Sequence, residues 1–259
     1  MYKLLTKYDW LKIFDLPKDY TIDALLVSGV AYKDREIEIF NNVLSNFPKF
    51  KDEDSLKDSF FKQVRVLRMG EKKIWFDTVY GGTYLSELTH IACMLGSKAN
   101  ILVGSCGGLQ NNLQTGDLII PTYSYGDDSV TRTYQKENLT NKHIPSKKLT
   151  QDITGLIKQD ITMHEGPIIT CQAMMGETKE QIDEWERDGY LGVEMESATL
   201  FAVSNSFNVD STAILHVSDN LIRNELVGGK THTDTKEIRD NIRKYKYEVI
   251  LKYFTQSIK

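Results

Sequence analysis

Short apolar runs alternate with segments of helical spacing along most of this chain, and this alternation limits the possible folds more than any other feature. Apolar runs that stop at small or polar residues are typical of buried strands. The main predicted strands cover residues 23–27, 100–104, 117–121, 166–172, 191–196 and 211–219. Amphipathic helices are expected between them, and a long one from about Asp234 to the end. Strands that alternate with helices predict a mostly parallel sheet covered on both faces, and therefore an α/β fold.

Two regions depart from the simple alternation. Two strand-like runs at 64–69 and 73–80, split by Gly70-Glu71-Lys72, predict a hairpin. The polar segment 123–146 has no clear period, so we expect a long irregular excursion after a strand that ends at Pro121. No repeat or linker composition interrupts the chain, which predicts a single domain over residues 1–259.

Composition excludes several classes of protein. The net charge is -4, which disfavours a nucleic-acid-binding surface. No segment reaches the roughly 18 apolar residues of a membrane helix, so no membrane partner is expected. The three cysteines are widely spaced and form no Cys-x-x-Cys pair, which favours a reducing cytoplasm over a disulfide scaffold or a zinc site.

Polar residues stand where the predicted strands end. Gly29, Ser105, Gln172, Glu194 and Asp219 each lie at or just after such an end. In open α/β sheets ligands bind outside the carboxyl ends of the strands, so these residues predict one common site. The glycine-rich turn after the strand at 100–104 is either an anion-binding turn or an ordinary tight turn, and the spacing alone does not choose.

Three carboxyl groups are candidates for chemistry. In an extended backbone Glu194 and Glu196 point the same way, and a ribose could donate hydroxyl hydrogen bonds to one of them. Alternatively, Glu196 simply begins a helix. Asp219 follows an apolar strand, where burial would raise its pKa and make it a proton donor; its alternative role is a helix cap. His216, within that strand, is interpreted as a satisfied core histidine.

The stretches "VGSCGGLQNNLQTGD", "LGVEMESATLFAVSN" and "AILHVSDN" together resemble the nucleoside phosphorylase and uridine phosphorylase superfamily, which also contains nucleoside hydrolases. The resemblance implies a mixed, mostly parallel central sheet that is partly closed into a barrel and flanked by helices. It implies a cytoplasmic homo-oligomer, dimeric or hexameric, that cleaves nucleosides with inorganic phosphate as co-substrate and without a metal or organic cofactor. The Ser-Asp pair at residues 218–219 is similar to the purine-cleaving branches, including the hexameric bacterial type.

The resemblance also implies a role for each matching residue. Phosphate would be bound by Gly29, Lys33, Gly104 and Ser105, and ribose by Met195 and Glu196 with support from Glu194. The base would lie against Cys106, Gly107, Gln172, Met174 and Asp219. Asp219 would act as the catalytic residue by protonating, or hydrogen bonding to, purine N7, which stabilises the departing base.

The match is weakest at the phosphate side. Lys33 stands where an arginine is expected, and Leu102 occupies another position that often holds one. A hydrolase is therefore an alternative, with Asp34 or Glu36 activating water. Further alternatives are a uridine phosphorylase, an AMP nucleosidase and a catalytically silent nucleoside-binding protein.

Some supporting residues, and the identity of the base, stay open from the sequence. Arg65 and Arg68 lie where a neighbouring subunit supplies an arginine in relatives. Arg223 and His232 are candidate helpers of Asp219. Adenine, hypoxanthine, guanine and uracil are not distinguished.

Overall fold

The computed structural model of the protein describes residues 2–53 and 61–257. The strands are β1 (Ala24–Gly29), β2 (Lys51–Glu53), β3 (Arg65–Met69), β4 (Lys72–Val79), β5 (Ala99–Gly108), β6 (Leu118–Tyr125), β7 (Lys142–His143), β8 (Met163–Thr170), β9 (Gly192–Glu194) and β10 (Asp210–Asn220). The α-helices are α1 (Lys7–Ile13), α2 (Lys33–Leu44), α3 (Gly82–Met94), α4 (Ser129–Tyr134), α5 (Lys147–Thr154), α6 (Lys179–Arg187), α7 (Ser197–Ser206), α8 (Lys230–Asp234) and α9 (Lys236–Ser257). Short 3₁₀ turns cover Tyr2–Leu4 and Met174–Gly176.

All of these strands belong to one mixed sheet, which is partly closed. Its order is β10-β6-β8-β9-β5-β1-β4-β3-β2, and β7 pairs with β6. Strand β10 also pairs with β5, so β5, β10, β6, β8 and β9 form a closed ring. The ladders that join β1 to β4 and β5, β5 to β10, and β8 to β6 and β9 are parallel. The predicted α/β fold with a partly closed barrel is confirmed.

Helices cover both faces of the sheet and bury two large apolar clusters. Helices α2, α5 and α9 pack on one face, where Phe40 stacks on Phe76 with ring centroids 3.8 Å apart and Tyr247 meets both rings edge-on. Helices α3 and α7 cover the other face. Truncation of a buried aromatic ring such as Phe76 to alanine is expected to cost about 3–5 kcal/mol of stability.

Helix α7 has an unusual environment for a helix of this size. Its side chains from Ser197 to Ser204 are all buried, because the helix packs between the sheet and helices α3 and α4. A helix that is apolar or small on every side belongs in the interior. The burial of α7 fixes the position of Glu196, the residue that precedes it.

Most elements lie where the sequence predicts them, and the differences have physical causes. The β3–β4 hairpin is confirmed, and α6 lies between the strands predicted at 166–172 and 191–196, where a helix is expected. Strand β6 runs past Pro121 to Tyr125, because a shift in register between Pro121 and Ser124 accommodates the missing proline N–H. The expected excursion at 123–146 contains α4 and β7, so it is less irregular than predicted.

The strand predicted at 191–196 is shorter than expected. Strand β9 ends at Glu194, and Glu196 has φ -130° and ψ -36°, which is not extended. The expectation that Glu194 and Glu196 project together from an extended strand is therefore wrong.

None of the helices within residues 2–53 and 61–257 has both the length and the apolar character needed to cross a bilayer.

Candidate active site

The carboxyl ends of β1, β5 and β9 come together around two glycines. A methyl group added at Gly29 would lie 2.7 Å from Oε2 of Glu196, and one added at Gly104 would lie 3.7 Å from the carbonyl oxygen of Gly29. The absence of a side chain at Gly29 thus lets a carboxyl group lie directly against the end of β1. The structure thus brings together Glu196 from the predicted ribose set and Gly29 and Gly104 from the predicted phosphate set.

Glu194 is buried, and neighbouring groups donate hydrogen bonds to both of its carboxylate oxygens. Its Oε2 accepts hydrogen bonds from the main-chain N–H groups of Glu196 and Ser197, both at 2.8 Å. Its Oε1 accepts from the hydroxyls of Ser197 at 2.6 Å and Thr170 at 2.5 Å. These donors satisfy the amino-terminal end of α7, so the carboxylate caps the helix and positions Glu196.

Glu196 is the carboxyl group that lies against Gly29 at the end of β1. It is 5% exposed, and its Oε1 accepts a hydrogen bond from the N–H of Gly81 at 2.6 Å. Burial, and then the charge of Glu194, raise the pKa of Glu196 to about 8. Because four donors favour the ionised form of Glu194, we assign the proton shared by this buried pair to Glu196. A neutral carboxyl can both donate to and accept from a hydroxyl group.

Asp219 lies at the end of β10, where the strand is irregular. The register of β10 against β5 shifts between Val217 and Asp219, so Asp219 lies opposite Gly107. The carboxyl is 6% exposed and accepts a hydrogen bond from the hydroxyl of Ser218. Burial raises the pKa of Asp219, and the bond from Ser218 and the charge of Arg239 oppose that rise. Burial therefore makes the Asp219 carboxyl easier to protonate than an exposed aspartate.

Arg239 is a neighbour of Asp219 that the sequence did not reveal. It lies on α9, is 4% exposed, and donates to the hydroxyl of Thr235 at 2.7 Å. Burial lowers the pKa of Arg239, and Asp219 is among the acids that oppose this. Its place could be found only from the packing of α9 on β10, since 20 residues separate it from Asp219 in the sequence.

The two helpers expected for Asp219 are engaged differently. Arg223 forms a bidentate pair with Glu225 and donates to the carbonyl oxygens of Asn111 and Leu113. It therefore holds the chain after β10 in place. His232 lies 3.4 Å from Arg239, so it contacts the neighbour of Asp219.

The predicted base-side residues are spread over several surroundings. Gln172 accepts from the N–H of Gly82 at 2.8 Å and donates to the carbonyl oxygen of Met195 at 2.9 Å, so its amide links β8, α3 and the segment before α7. Met195 lies beside Gly81, since its Cε would be 3.9 Å from a methyl group added there. Met174 is 39% exposed in the 3₁₀ turn after β8.

Cys106 and Gly107 lie within β5, which continues to Gly108. The prediction of a glycine-rich turn after the strand at 100–104 is therefore wrong, because these residues pair with β10 and β9. The Cys106 thiol is 3% exposed, belongs to the apolar cluster under α3 and α7, and lies 3.6 Å from the carbonyl oxygen of His216. Contact between this thiol and a base would require the core to open. Gly107 faces Leu221, whose Cδ1 would be 3.0 Å from an added methyl group. A side chain at this position would displace Leu221.

The predicted phosphate side carries little charge of its own at the surface. Ser105 is half-buried beside Gly104, and Lys33 is exposed at the first residue of α2. Leu102 is completely buried in the cluster under α3 and α7. The nearest cation to Gly104 is instead Lys246 of α9, whose ammonium donates to the Gly104 carbonyl oxygen.

The two acids considered for activating water have different environments. Asp34 is exposed. Glu36 is buried, accepts a hydrogen bond from Tyr247 at 2.7 Å and one from Ser28 at 3.3 Å, and lies 3.8 Å from Arg243. These contacts tie Glu36 to the packing between α2 and α9.

Arg65 and Arg68 are both paired within the edge of the sheet. Arg65 binds Asp52 and the side chain of Asn41, and Arg68 binds Glu53. Their pairing joins β3 to β2 and α2. Across the described ranges, no cluster of three or more His, Cys, Asp or Glu side chains has a geometry suited to a metal ion.

The family of this chain follows from comparison with known proteins. The model of the phosphorylase superfamily matches residues 78–254, which include β5, the turn before α7 and the end of β10. The chain therefore belongs to the phosphorylase superfamily. A solved structure of uridine phosphorylase from Vibrio fischeri shares the fold, with a TM-score of 0.71, 19% identity, and coverage of 91% of this chain and 95% of the other.

Two relatives illustrate the sequence similarity. A guanosine phosphorylase from Halorubrum lacusprofundi is 26% identical over 58% of this chain and 62% of its own length. A DeoD-type purine nucleoside phosphorylase from Clostridium beijerinckii is 30% identical over 55% of this chain and 62% of its own length. The matched part of the chain thus spans less than two thirds of these relatives.

Proposed function

We propose that the protein cleaves purine nucleosides by phosphorolysis, giving the free base and ribose 1-phosphate. The observation that carries this proposal is the pair of buried carboxyl groups, Glu196 and Asp219, at the glycine-lined ends of β1, β5 and β10. The relatives described as guanosine and purine nucleoside phosphorylases support the same activity.

The proposed chemistry assigns one task to each group. A phosphate oxygen attacks C1′ of the ribose, the C1′–N9 bond breaks, and its electron pair passes to the base. Asp219 donates its proton, or a hydrogen bond, to N7 and so stabilises the leaving purine. Glu196 holds a ribose hydroxyl while Glu194 fixes its position, and the negative phosphate stabilises the cationic character that develops on the sugar. This scheme uses phosphate as co-substrate and no other cofactor.

The phosphate site in this proposal consists of Gly29, Lys33, Gly104 and Ser105. The main chain of β5 at Ser105 supplies an N–H group, and the exposed Lys33 supplies charge. The base would lie between Asp219 and the 3₁₀ turn at Met174, with Met195 below the sugar. Cys106, Gly107 and Gln172 would form the floor of the base site and determine its shape. The Cys106 thiol is buried, and the Gln172 amide already bonds to main-chain groups.

A hydrolase of the same superfamily is the second candidate. It is favoured by one observation, that Leu102 and Lys33 leave the phosphate side without an arginine. In that case water would replace phosphate at C1′. The engagement of Glu36 by Tyr247 and Ser28 leaves Asp34 as the better-placed base.

One experiment separates these activities. Base release is measured with inosine, guanosine, adenosine, uridine and methylthioadenosine, each with and without phosphate. We expect phosphate-dependent release of a purine, with ribose 1-phosphate as co-product. Equal rates without phosphate would establish a hydrolase, release from uridine alone would establish pyrimidine specificity, and binding without release would establish a silent binding protein.

We further propose a cytoplasmic homo-oligomer that consists of one domain per chain, residues 1–259. The single sheet that contains every described strand supports one domain, and the three free cysteines suit a reducing compartment. Light scattering coupled to size-exclusion chromatography would distinguish a dimer from a hexamer, and a monomer would contradict this proposal.

A further inference from the structure

A buried lysine contacts the main chain of β5 at Gly104, next to the predicted phosphate residue Ser105. Lys246 of α9 is 2% exposed, and its ammonium donates to the carbonyl oxygen of Gly104 and lies 2.9 Å from Nδ1 of His216. The His216 Nδ1 is in turn 2.8 Å from the same carbonyl oxygen. Two polar side chains therefore meet at the carbonyl of the peptide that joins Gly104 to Ser105.

A peptide group transmits this contact to its other side. The amide is planar and trans, so the N–H of Ser105 points away from the carbonyl that Lys246 binds. A cation on the carbonyl oxygen draws electron density from the amide and makes the N–H a stronger donor to an anion. Lys246 can thus act on an anion at Ser105 without touching it.

We propose that Lys246 is a positioning residue of the anion site, which strengthens the Ser105 N–H as a phosphate donor by binding the Gly104 carbonyl. This inference rests on the proposed function, because it takes phosphate as the anion. It supplies, from helix α9, positive charge that Leu102 and the exposed Lys33 do not place in the interior.

His216 can take part in this arrangement with either of two hydrogen-bond patterns. A neutral imidazole carries one N–H, so Nδ1 either donates to the Gly104 carbonyl or accepts from the Lys246 ammonium. In the second case the proton is on Nε2, which is buried and has no hydrogen-bond partner among the described residues. The expectation of a fully satisfied core histidine is therefore wrong. The buried pair has two alternative hydrogen-bond patterns, which differ in the imidazole nitrogen that carries the proton.

The surroundings determine the direction of the pH effect. The titratable and charged groups around the pair are Glu36 on α2, Cys106 on β5, Arg239, Arg243 and Tyr247 on α9, and His216 itself on β10. Burial lowers the pKa of Lys246 to about 7, and Glu36 opposes this while Arg243 adds to it. The cationic lysine favours a bound anion, so anion affinity should fall as the pH rises through this pKa.

Sulfate is the probe, because it stays a dianion across the range and thus separates the titration of the protein from that of the ligand. Its dissociation constant is measured by calorimetry on the full chain at pH 6, 7, 8 and 9. We expect about a tenfold loss of affinity between pH 6 and 9 in the wild type. Lys246→Met should bind weakly at every pH, and Lys244→Met, an exposed position on the same helix, should match the wild type.

A second readout uses steady-state kinetics. Lys246→Met should raise the phosphate KM about tenfold and leave the nucleoside KM unchanged. Wild-type sulfate affinity and pH dependence in Lys246→Met would overturn the inference, as would a wild type that binds no sulfate at pH 6. Base release without phosphate would instead overturn the proposed function, and the sulfate titration would still test Lys246.

His216→Leu gives an independent test in case Lys246→Met does not fold, which circular dichroism would show. Leucine removes the Nδ1 that lies 2.9 Å from the Lys246 ammonium, so the ammonium form of Lys246 is disfavoured. We expect the midpoint of the sulfate pH dependence to move downward in this variant. An unchanged midpoint would contradict the coupling between the two side chains.

Discussion

The candidate site has a sugar and base side and an anion side, and these two sides differ in how their polar groups are positioned. On the sugar and base side, Glu196 and Asp219 are buried and have named donors, Gly81 and Ser218. On the anion side, Ser105 is half-buried, Lys33 is exposed, and the buried Lys246 binds the carbonyl oxygen of Gly104. The difference teaches that one half relies on preorganised side chains and the other on a polarised main chain.

The largest effect is expected at Asp219 if the base side is the catalytic half. Asp219→Asn removes the proton donor and keeps the volume, so kcat should fall by about 10²-fold or more with little change in stability. Steady-state turnover and thermal unfolding would measure both. Asp234→Asn, at an exposed acid on α8, should keep full activity. Undiminished turnover in Asp219→Asn would remove this residue from the mechanism.

Glu196 provides the next test, on the sugar. Glu196→Gln leaves the hydrogen bond from Gly81 but changes the groups available to a ribose hydroxyl. We expect about a tenfold rise in the KM for ribonucleosides and a smaller change for 2′-deoxyribonucleosides. Comparison of the two substrate series checks this, with Glu180→Gln as an exposed control. An equal change in both series would argue against ribose recognition.

Lys33 tests the anion half at its exposed end. Because solvent screens this lysine, Lys33→Met should raise the phosphate KM only about three- to fivefold and leave the nucleoside KM unchanged. Lys136→Met, at an exposed lysine in the segment after α4, serves as the control. A loss as large as that expected for Lys246→Met would mean that surface charge, and not the main chain, dominates phosphate binding.

The last prediction concerns the pH dependence of stability. The folded pKa of Glu196, about 8, exceeds its ordinary value of 4.5, so the folded state holds a proton that the unfolded state releases between these values. Stability from this group is present below pH 4.5 and is lost as the pH rises toward 8, by up to about 1.4 kcal/mol per unit. Glu196→Gln should therefore gain stability relative to the wild type between pH 5.5 and 8. A constant difference in denaturant unfolding would show that Glu196 is ionised when folded.

Local patterns were sufficient for most elements of the fold. The apolar run before Gly29, the hairpin around Gly70 and the helix that begins after Thr178 each carry their own signal in a few adjacent residues. The bounds of β6 and β9 were not predictable in this way. Strand β6 continues past Pro121 because of a register shift with β8, and β9 stops because the Glu194 side chain caps α7.

The candidate site shows the same division. The sequence determined that small and acidic residues follow the strands at Gly29, Gly104, Glu196 and Asp219, because the chemistry of strand ends is local. The family resemblance fixed their proposed roles. The resemblance gave Glu194 a supporting role, but it gave no sign that this carboxylate caps α7.

Only the tertiary structure decided which distant groups meet at that site. It placed Arg239 beside Asp219, and Lys246 and His216 behind Gly104, although Lys246 is 142 residues from Gly104 in the sequence. The physical reason is that hydrogen bonding and desolvation act through space, and they depend on how α9 packs against the sheet. Residue type and spacing along the chain do not contain that packing.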